Sequence, residues 1–332
     1  MYEVTPGDAS VDVRCSSASE FLHLLEPIRG LFASPTFIFR GVSSDRHGLL
    51  PSAHRPKAPL LTPNNVVVSG PLDSLRTQCG AEFYTIDRFF KIASRHGVRM
   101  PEDSYVLREE LDEWSVLFQQ NEAAPYHGRV WPSPRLFSLI ALAQHYAIPT
   151  RALDWTYSAY VAAYFAARPA LNNDADSICV WAVDDFHRQV DRVLAAAAKR
   201  PLRVFTVSGA ENENLRAQRG LFMLHPQSLD DPWARFLPTT YNALLLESLP
   251  LLKDAVQFIR VLLDGSHARE VLGLLATAGI TRGALYPGLS GVAQEFEDEQ
   301  LMPPRRAAPG GDTHETIGLW DKINKAARRI RT

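Results

Sequence analysis

The sequence predicts an α+β fold, with mixed and mostly antiparallel small sheets flanked by helices. Short apolar stretches such as Ser177 to Val183 predict strands, and stretches with apolar residues at helical spacing, such as Glu82 to Gly97, predict helices. These elements do not alternate regularly, which argues against a doubly wound parallel sheet. The chain has 332 residues, of which 46% are hydrophobic and 22% charged. This composition is typical of a globular chain with a sizeable core.

Local signals predict the first elements of the chain. A helix should open near Ser17, because Ser17 and Glu20 have the spacing of a capping box ahead of an apolar face. Residues 36–42 are β-branched and aromatic, and they predict a strand that delivers an arginine near its end. Residues 56–80 carry scattered prolines, so we expect a long loop or insertion there.

The later elements are predicted from apolar spacing and from prolines that end a helix. They are a helix from Leu136 to Tyr146, a short segment from Arg151 to Trp155, a helix from Ser158 to Ala167 that ends at Pro169, a strand from Leu221 to Leu224, and a helix from Ala255 to Ala278 with a weak point at Gly265.

We expect three parts along the chain: an N-terminal helical segment (1–35), a main domain (36–300), and a basic linker with a small terminal helix (301–332). Residues 303–332 hold seven Lys and Arg against three Asp and Glu, whereas the whole chain has a net charge of −2. This tail could contact phosphates or a macromolecular partner. The alternative is a solvated helix end without such a role.

Several classes of protein lack their signals in this sequence. No apolar run reaches the roughly 20 residues of a membrane helix, and no secretory signal opens the sequence, so we expect a cytoplasmic protein. The three cysteines show no Cys-x-x-Cys spacing and the histidines show no His-Glu-x-x-His motif, so no metal is expected. The glycine motifs of dinucleotide-binding folds, P-loops and α/β-hydrolases do not occur either.

Residues 144–156 are rich in hydrogen-bonding side chains although they lie between two apolar helices. A stretch that served only the core would carry fewer of them, because each buried polar group needs a partner. The candidates for a ligand site in this run are Gln144, His145, Thr150, Arg151, Asp154, Trp155 and Thr156. The alternative is a buried polar network in which Arg151 pairs with Asp154 to fix the turn.

Two shorter motifs place a cation beside a glycine at a strand end. They are Phe39-Arg40-Gly41 and Gln218-Arg219-Gly220. Glycine at such a point lets the backbone approach a ligand closely. Together with the run 144–156, these motifs predict one composite pocket.

At these motifs the sequence resembles the FRG domain family, which is named for a Phe/Tyr-Arg-Gly motif. The resemblance covers roughly residues 36–296, and its most specific part is the run from Gln144 to Thr156. It departs from the family at Ala147, where glycine is usual, and at Ala152, where leucine is usual. It also includes Leu50 to Ser52, Arg55, Glu82, Tyr164 to Ala166, Gln218 to Phe222, and Gly279 to Pro287.

The strand that ends in Arg40 and Gly41 also resembles the first active-site strand of ADP-ribosyltransferases. That resemblance implies NAD as substrate, an ADP-ribosyltransferase-like fold and no metal. It further implies a glutamate on a late strand, where this sequence has Gln218. The candidates for the carboxylate that the resemblance implies are Glu247, Glu295 and Glu297.

The resemblance implies a set of roles for the polar residues. The candidate catalytic residues are Arg40, His145, Asp154, Thr156 and Gln218. The candidate NAD-binding residues are Arg40, Gly41, Gln144, Thr150, Arg151, Trp155, Tyr164 and Arg219. For Tyr164 the alternative is a core position on an apolar helix.

The function implied is that of an NAD-dependent ADP-ribosyltransferase-like effector, a toxin or a phage-defence protein. Such a protein modifies a macromolecule, either protein or nucleic acid, or consumes NAD outright. The main alternative is a non-catalytic module that senses a nucleotide or binds a partner protein. A metal-independent enzyme acting on nucleic acid is a third possibility, for which the basic tail leaves room.

Overall fold

A computed structural model describes most of the chain. The described residues are 2–7, 10–33, 37–44, 48–100, 102–171, 176–183, 202–208, 213–244, 258–301 and, near the C-terminus, 322, 323 and 326. The basic linker 302–312, Glu247 and most of the expected terminal helix therefore lie outside the described residues.

The strands are β1 (Glu3–Gly7), β2 (Ser10–Arg14), β3 (Ile38–Val42), β4 (Ala58–Leu61), β5 (Val67–Gly70), β6 (Val130–Trp131), β7 (Leu153–Thr156), β8 (Ser177–Val183), β9 (Arg203–Phe205), β10 (Gly220–Leu224), β11 (Gln227–Ser228) and β12 (Phe258–Asp264). The helices are α1 (Ala18–Leu24), α2 (Leu75–Arg95), α3 (Tyr105–Gln119), α4 (Phe137–His145), α5 (Ala159–Ala170), α6 (Glu213–Ala217), α7 (Ala268–Thr277), α8 (Arg282–Leu285) and α9 (Leu289–Leu301).

One large sheet organises the fold. Its eight strands lie in the order β1-β2-β12-β8-β3-β7-β10-β9, and each neighbouring pair is antiparallel except β2–β12, which is parallel. Two small two-stranded sheets, β4–β5 and β6–β11, accompany it. The mixture of helices and mostly antiparallel strands confirms the α+β class, but the expectation of small sheets was wrong for the main sheet.

Helices cover the main sheet in two groups. On one side α1, α5 and α7 pack against β2, β3, β8 and β12, and this layer contains Phe21, Ala162, Val180 and Val261. A second cluster is formed by α2, α3 and α4 around Trp131 and includes Phe222 of β10. The third cluster contains Ile38, Trp155 and Trp181 of β3, β7 and β8. Along β3 and β8 its side chains alternate with those of the first cluster, so the two clusters lie on opposite faces of the sheet.

The expectations for residues 1–35 and 56–80 were wrong. Residues 1–35 hold β1 and β2 besides α1, because the alternating apolar Val11 and Val13 pack into the sheet core. Residues 56–80 hold β4, β5 and the first turns of α2. Helix α2 begins at Leu75, since Ser74 and Thr77 form a capping box there.

The helix expected from Ala255 to Ala278 is a strand followed by a helix. The apolar run Phe258–Asp264 pairs with both β2 and β8, so it is a buried central strand, and α7 starts only at Ala268. A short apolar run fits a buried strand as well as a buried helix, and periodicity alone does not separate them. The helix predicted over Ser158–Ala167 was also too short at its C-terminal end, since α5 continues through Pro169 to Ala170.

Candidate functional site

A pocket opens where β3, β7 and β10 lie side by side. The three strands are neighbours in the main sheet, and the C-terminus of α4 and residues around α8 complete the walls. Its cavity volume is about 160 Å³. The lining residues are Phe39, Arg40, Gly41, Gln144, His145, Asp154, Trp155, Thr156, Ala162, Phe165, Leu215, Gln218, Gly220, Leu221, Phe222 and Tyr286.

Arg40 supplies the positive charge of the pocket. Its Nη1 donates to the main-chain oxygen and to Oδ1 of Asp154, each at 2.6 Å. The side chain is only 9% exposed, and among the described residues its buried Nε has no hydrogen-bond partner. A buried donor that lacks a partner is unfavourable, so Arg40 has unused capacity to bind an acceptor.

Asp154 faces Arg40 across the pocket, with 55% of its side chain exposed. Gln144 Nε2 also donates to its Oδ1, at 3.2 Å. Burial by the pocket walls alone would raise the pKa of Asp154, but the Arg40 guanidinium outweighs this effect and holds the pKa below its ordinary value. Asp154 is therefore an ionised carboxylate at neutral pH.

Thr156 and Gln218 tie β7 to β10 and to the opposite wall. Thr156 Oγ1 donates to the main-chain oxygen of Gln218 at 2.7 Å and accepts from the Ser158 amide at 3.0 Å. The Gln218 side chain donates to the main-chain oxygen of Leu285 at 3.2 Å. Both side chains line the pocket, and both hold its walls in place.

His145 ends α4 at the rim of the pocket. The side-chain amide of Asn214 donates to its Nε2 at 3.0 Å, an assignment that leaves the proton of the ring on Nδ1. Burial lowers the pKa of His145, against the opposing charge of Asp154. The imidazole is thus neutral at pH 7, and Tyr286 lies against it with ring centroids 6.5 Å apart.

Gly41 is required by the packing of a helix. A Cβ at this position would lie 1.8 Å from the main-chain oxygen of Ala162 on α5. The glycine therefore lets α5 approach β3, and this is a different reason from the close approach of a ligand. The contact also brings Ala162 and Phe165 of α5 to the pocket wall.

Arg151 does not reach the pocket and does not pair with Asp154. It is 2% exposed, and its Nε donates to Glu82 Oε2 at 2.6 Å. Its Nη1 donates to the main-chain oxygen of His225 at 3.1 Å, and its Nη2 contacts Cys79 Sγ. The expected polar network does exist around this arginine, but its acidic partner is Glu82.

Four other predicted NAD-binding residues lie elsewhere or have another use. Thr150 Oγ1 donates to Gln144 at 2.7 Å, so it supports the pocket from behind. Trp155 is among the lining residues, and its ring stacks on Phe258 in the core. Tyr164 is a core residue whose hydroxyl donates to Asp298 at 3.2 Å. The exposed Arg219 is not among the lining residues.

The glutamates considered for the late strand are not in the pocket. Glu295 accepts from the Thr281 hydroxyl and the Gly283 amide, so it caps α8. Glu297 is exposed on α9, and Glu247 lies outside the described residues. Among the described residues, Asp154 is the carboxylate that lines the pocket.

Sequence reasoning assigned no role to several wall residues. Phe165 and Tyr286 belong to motifs that carry the family resemblance, and that membership was the available signal for them. Leu215 of the wall, and Asn214 that contacts His145, come from the short helix α6, which no sequence pattern indicated.

The described residues were also searched for metal sites and membrane spans. Within them, no group of three or more His, Cys, Asp and Glu side chains is placed to hold a metal ion. No helix among the same residues has the length and apolar character needed to cross a membrane.

The fold and site define an α+β protein with one mixed-charge pocket on a mostly antiparallel sheet. Residues 35–175 match the model of the FRG domain family, and the chain therefore contains an FRG domain. The match includes β3, α4 and β7, whereas β8, β10 and β12 of the same sheet follow it. No curated protein and no solved structure matches the chain.

Proposed function

We propose that the pocket binds NAD and that the protein cleaves the bond between nicotinamide and ribose. The ADP-ribose is passed to a macromolecule or to water. The observation that carries this proposal is that Arg40 of β3, Asp154 and Thr156 of β7, and Gln218 in the turn before β10 line one pocket. The resemblance to ADP-ribosyltransferases implies a cation on a first strand, a Ser or Thr on a second strand and a glutamate on a late strand, and Gln218 lies near the third of these positions.

Arg40 suits the binding of the ligand's diphosphate. A guanidinium presents several N–H donors in one plane and matches the oxygens of a phosphate bidentately. Within the described part of the chain, Arg40 uses Nη1 to hold Asp154 and the guanidinium keeps further N–H donors for a phosphate. The cavity has room for part of a dinucleotide, and the remainder would extend through its mouth.

Asp154 suits the reacting end of the ligand. When the bond between nicotinamide and ribose breaks, the neutral nicotinamide leaves with the bonding electrons and positive charge develops on the ribose. An ionised carboxylate held in place by Arg40 and Gln144 stabilises that charge without reorganising. The nucleophile, a group on the acceptor or water, then bonds to the ribose carbon and loses its proton.

The remaining wall residues fit the rings and hydroxyls of such a ligand. Phe165 and Tyr286 offer aromatic surfaces on one side of the pocket, at ring centroids 6.4 Å apart. His145, neutral and fixed by Asn214, offers one N–H donor from the rim. An enzyme that consumes NAD in this way would act as an effector, a toxin or a phage-defence protein.

A second function, non-catalytic recognition of a nucleotide, is favoured by one specific observation. Gln218, in the turn just before β10, lies near the position where the transferase resemblance implies a glutamate, and its side-chain amide donates to the main-chain oxygen of Leu285. A pocket without that carboxylate can bind a nucleotide and leave it intact. The two functions share the ligand and differ in whether nicotinamide is released.

The test is a comparison of Asp154→Asn with Asp103→Asn. Asp103 is the matched control, because it pairs with Arg108 on the exposed surface and is not among the lining residues of the pocket. We expect wild type and Asp103→Asn to release nicotinamide from NAD, and Asp154→Asn to release it at least about 100-fold more slowly. Binding of NAD without release in the wild type would favour the recognition module, and no binding would contradict both functions.

A further inference from the structure

Helix α9 turns a polar side toward the rest of the protein. Asp298 is buried, and its carboxylate accepts from Arg168 Nε at 2.6 Å and from the Tyr164 hydroxyl at 3.2 Å. In the first turn, Gly291 packs so closely that a Cβ there would lie 1.8 Å from the main-chain oxygen of Tyr286. These contacts fix which side of α9 faces outward.

The outward side of α9 is apolar. Leu289, Val292 and Phe296 are 88%, 58% and 64% exposed. Their spacing of three and four residues places them in one stripe along the helix. None of them belongs to a core cluster of the described residues. Single exposed apolar residues are ordinary, but a continuous stripe indicates a surface that binds another molecule.

Acidic residues border this α9 stripe. At about 3.6 residues per turn, Glu297 and Glu299 lie on opposite sides of it, and both are exposed. The sequence from 284 to 301 contains no Lys or Arg. The surface therefore complements a helix that has apolar residues at the same spacing and basic residues beside them. It repels the phosphates of a nucleic acid.

Two occupants from this protein itself fit the α9 stripe less well. Near the C-terminus, Ile323 and Ala326 are buried in the first core cluster, and Lys322 Nζ lies 5.7 Å from the centre of the Tyr2 ring. The described part of the basic tail is thus engaged elsewhere. A second copy of the chain would bring the acidic border of one stripe against that of the other, which is unfavourable.

We infer that the α9 stripe docks a basic amphipathic helix of a partner protein. Helix α9 begins three residues after Tyr286, which lines the pocket, so a partner docked here lies next to the pocket. The inference goes beyond the proposed function and does not depend on it.

The experiment measures binding of a labelled, synthetic amphipathic helix of leucine and lysine to the full chain. We expect saturable binding of this peptide and none of a leucine and glutamate peptide with the same apolar face. Val292→Gln and Phe296→Gln should each raise the Kd roughly tenfold or more. Val116→Gln is the matched control and should leave the Kd unchanged, because Val116 is also 58% exposed but lies on α3, outside the stripe.

The acidic border is tested by changing both Glu297 and Glu299 to Gln. This double variant should bind the leucine and lysine peptide several-fold more weakly, and its Kd should depend less on salt than that of the wild type. Unchanged affinity and salt dependence would overturn the choice of a basic partner. Equal effects of Val292→Gln and Val116→Gln, or absence of binding to the wild type, would overturn the docking surface.

Other occupants would give different results, and each would overturn the inference. Self-association of the wild type that Phe296→Gln disperses would assign the stripe to a second copy. Tighter peptide binding when Arg305 and Arg306 are changed to Gln would assign it to the chain's own tail. Displacement of the peptide by an RNA oligonucleotide would assign it to nucleic acid. Melting temperatures establish that each variant is folded.

Failure of this inference can be told apart from failure of the proposed function. A wild type that releases nicotinamide from NAD but does not bind the peptide would retain the enzyme and reject the docking surface. A wild type that binds the peptide through the α9 stripe but neither binds nor cleaves NAD would retain the surface and reject the enzyme.

Discussion

Glu82 Oε2 lies 2.6 Å from Arg151 Nε in a place where each side chain is at most 3% exposed. The same carboxylate accepts two further hydrogen bonds, from Trp131 Nε1 to Oε2 at 3.0 Å and from Gln78 Nε2 to Oε1 at 2.9 Å. His54 Nε2 lies 3.1 Å from Oε1. This buried network fixes the residues that lead into β7, and so it positions Asp154 from the far side.

Neutralising one partner of this pair should destabilise the protein strongly. Glu82→Gln leaves the Arg151 charge buried without compensation, which costs about 3–5 kcal/mol of the free energy of unfolding. The double variant Glu82→Gln with Arg151→Met should recover part of that loss. Urea unfolding measures both, and a loss below about 1 kcal/mol in Glu82→Gln would contradict this account of the network.

The same region predicts how stability depends on pH. Burial lowers the pKa of His225 to about 4, and the neighbouring Arg151 and His54 charges act in the same direction. In the unfolded chain the pKa is about 6.5, so between pH 6.5 and 4 the unfolded state binds a proton that the folded state does not. The free energy of unfolding should therefore fall as the pH drops through this window. In His225→Gln the fall should be shallower, whereas the exposed His127→Gln should follow the wild type.

Protonation of Glu82 should cause a second decrease in the free energy of unfolding at acidic pH. Burial alone would raise its pKa, but Arg151 and His54 outweigh it and hold the pKa far below the ordinary value. The stabilisation from this carboxylate is present above about pH 4.3, the value for a free glutamate, and is lost on further acidification. Thermal melts from pH 5 to pH 2 should show a steep loss in the wild type. The slope should be smaller in the Glu82→Gln, Arg151→Met double variant, and equal slopes would contradict the assignment.

Substitution of Gly41 separates helix packing from ligand approach. Gly41→Ala places a Cβ against the main chain of α5, which cannot yield without moving the helix, so we expect a loss of at least about 3 kcal/mol. Gly220→Ala is the matched control on β10, because its Cβ meets only the end of the Leu215 side chain. Denaturant unfolding measures the free energy of unfolding of both variants. Equal decreases in the two variants would contradict the claim that packing against Ala162 requires a glycine at position 41.

The sequence allowed most elements with strong local signals to be predicted. Strand β8 has the predicted bounds, and α4 and β10 begin or end within one residue of them. The strands β1 and β12 were missed because only their pairing within the sheet decides their conformation.

The sequence predicted which polar residues meet in the candidate site better than it predicted which residues they pair with. The motifs brought Arg40, Asp154, Thr156 and Gln218 to one pocket, as expected from a composite site. The partner of Arg151 could not be read from the sequence, because Glu82 lies 69 positions away on α2. A contact of that separation depends on how α2 packs against β7, which local spacing does not encode.

The most direct test of the central claim is a calorimetric titration with NAD, with free nicotinamide followed in parallel, for the wild type, Arg40→Gln and Arg108→Gln. Arg108 is the matched control, since it pairs with Asp103 on the exposed surface and not at the pocket. We expect saturable binding with nicotinamide release in the wild type and in Arg108→Gln. In Arg40→Gln the affinity should fall by about 1.5–3 kcal/mol, roughly tenfold to 150-fold, and release should be lost. Absence of binding at millimolar NAD, or equal behaviour of the two variants, would contradict the claim that this pocket binds and cleaves NAD.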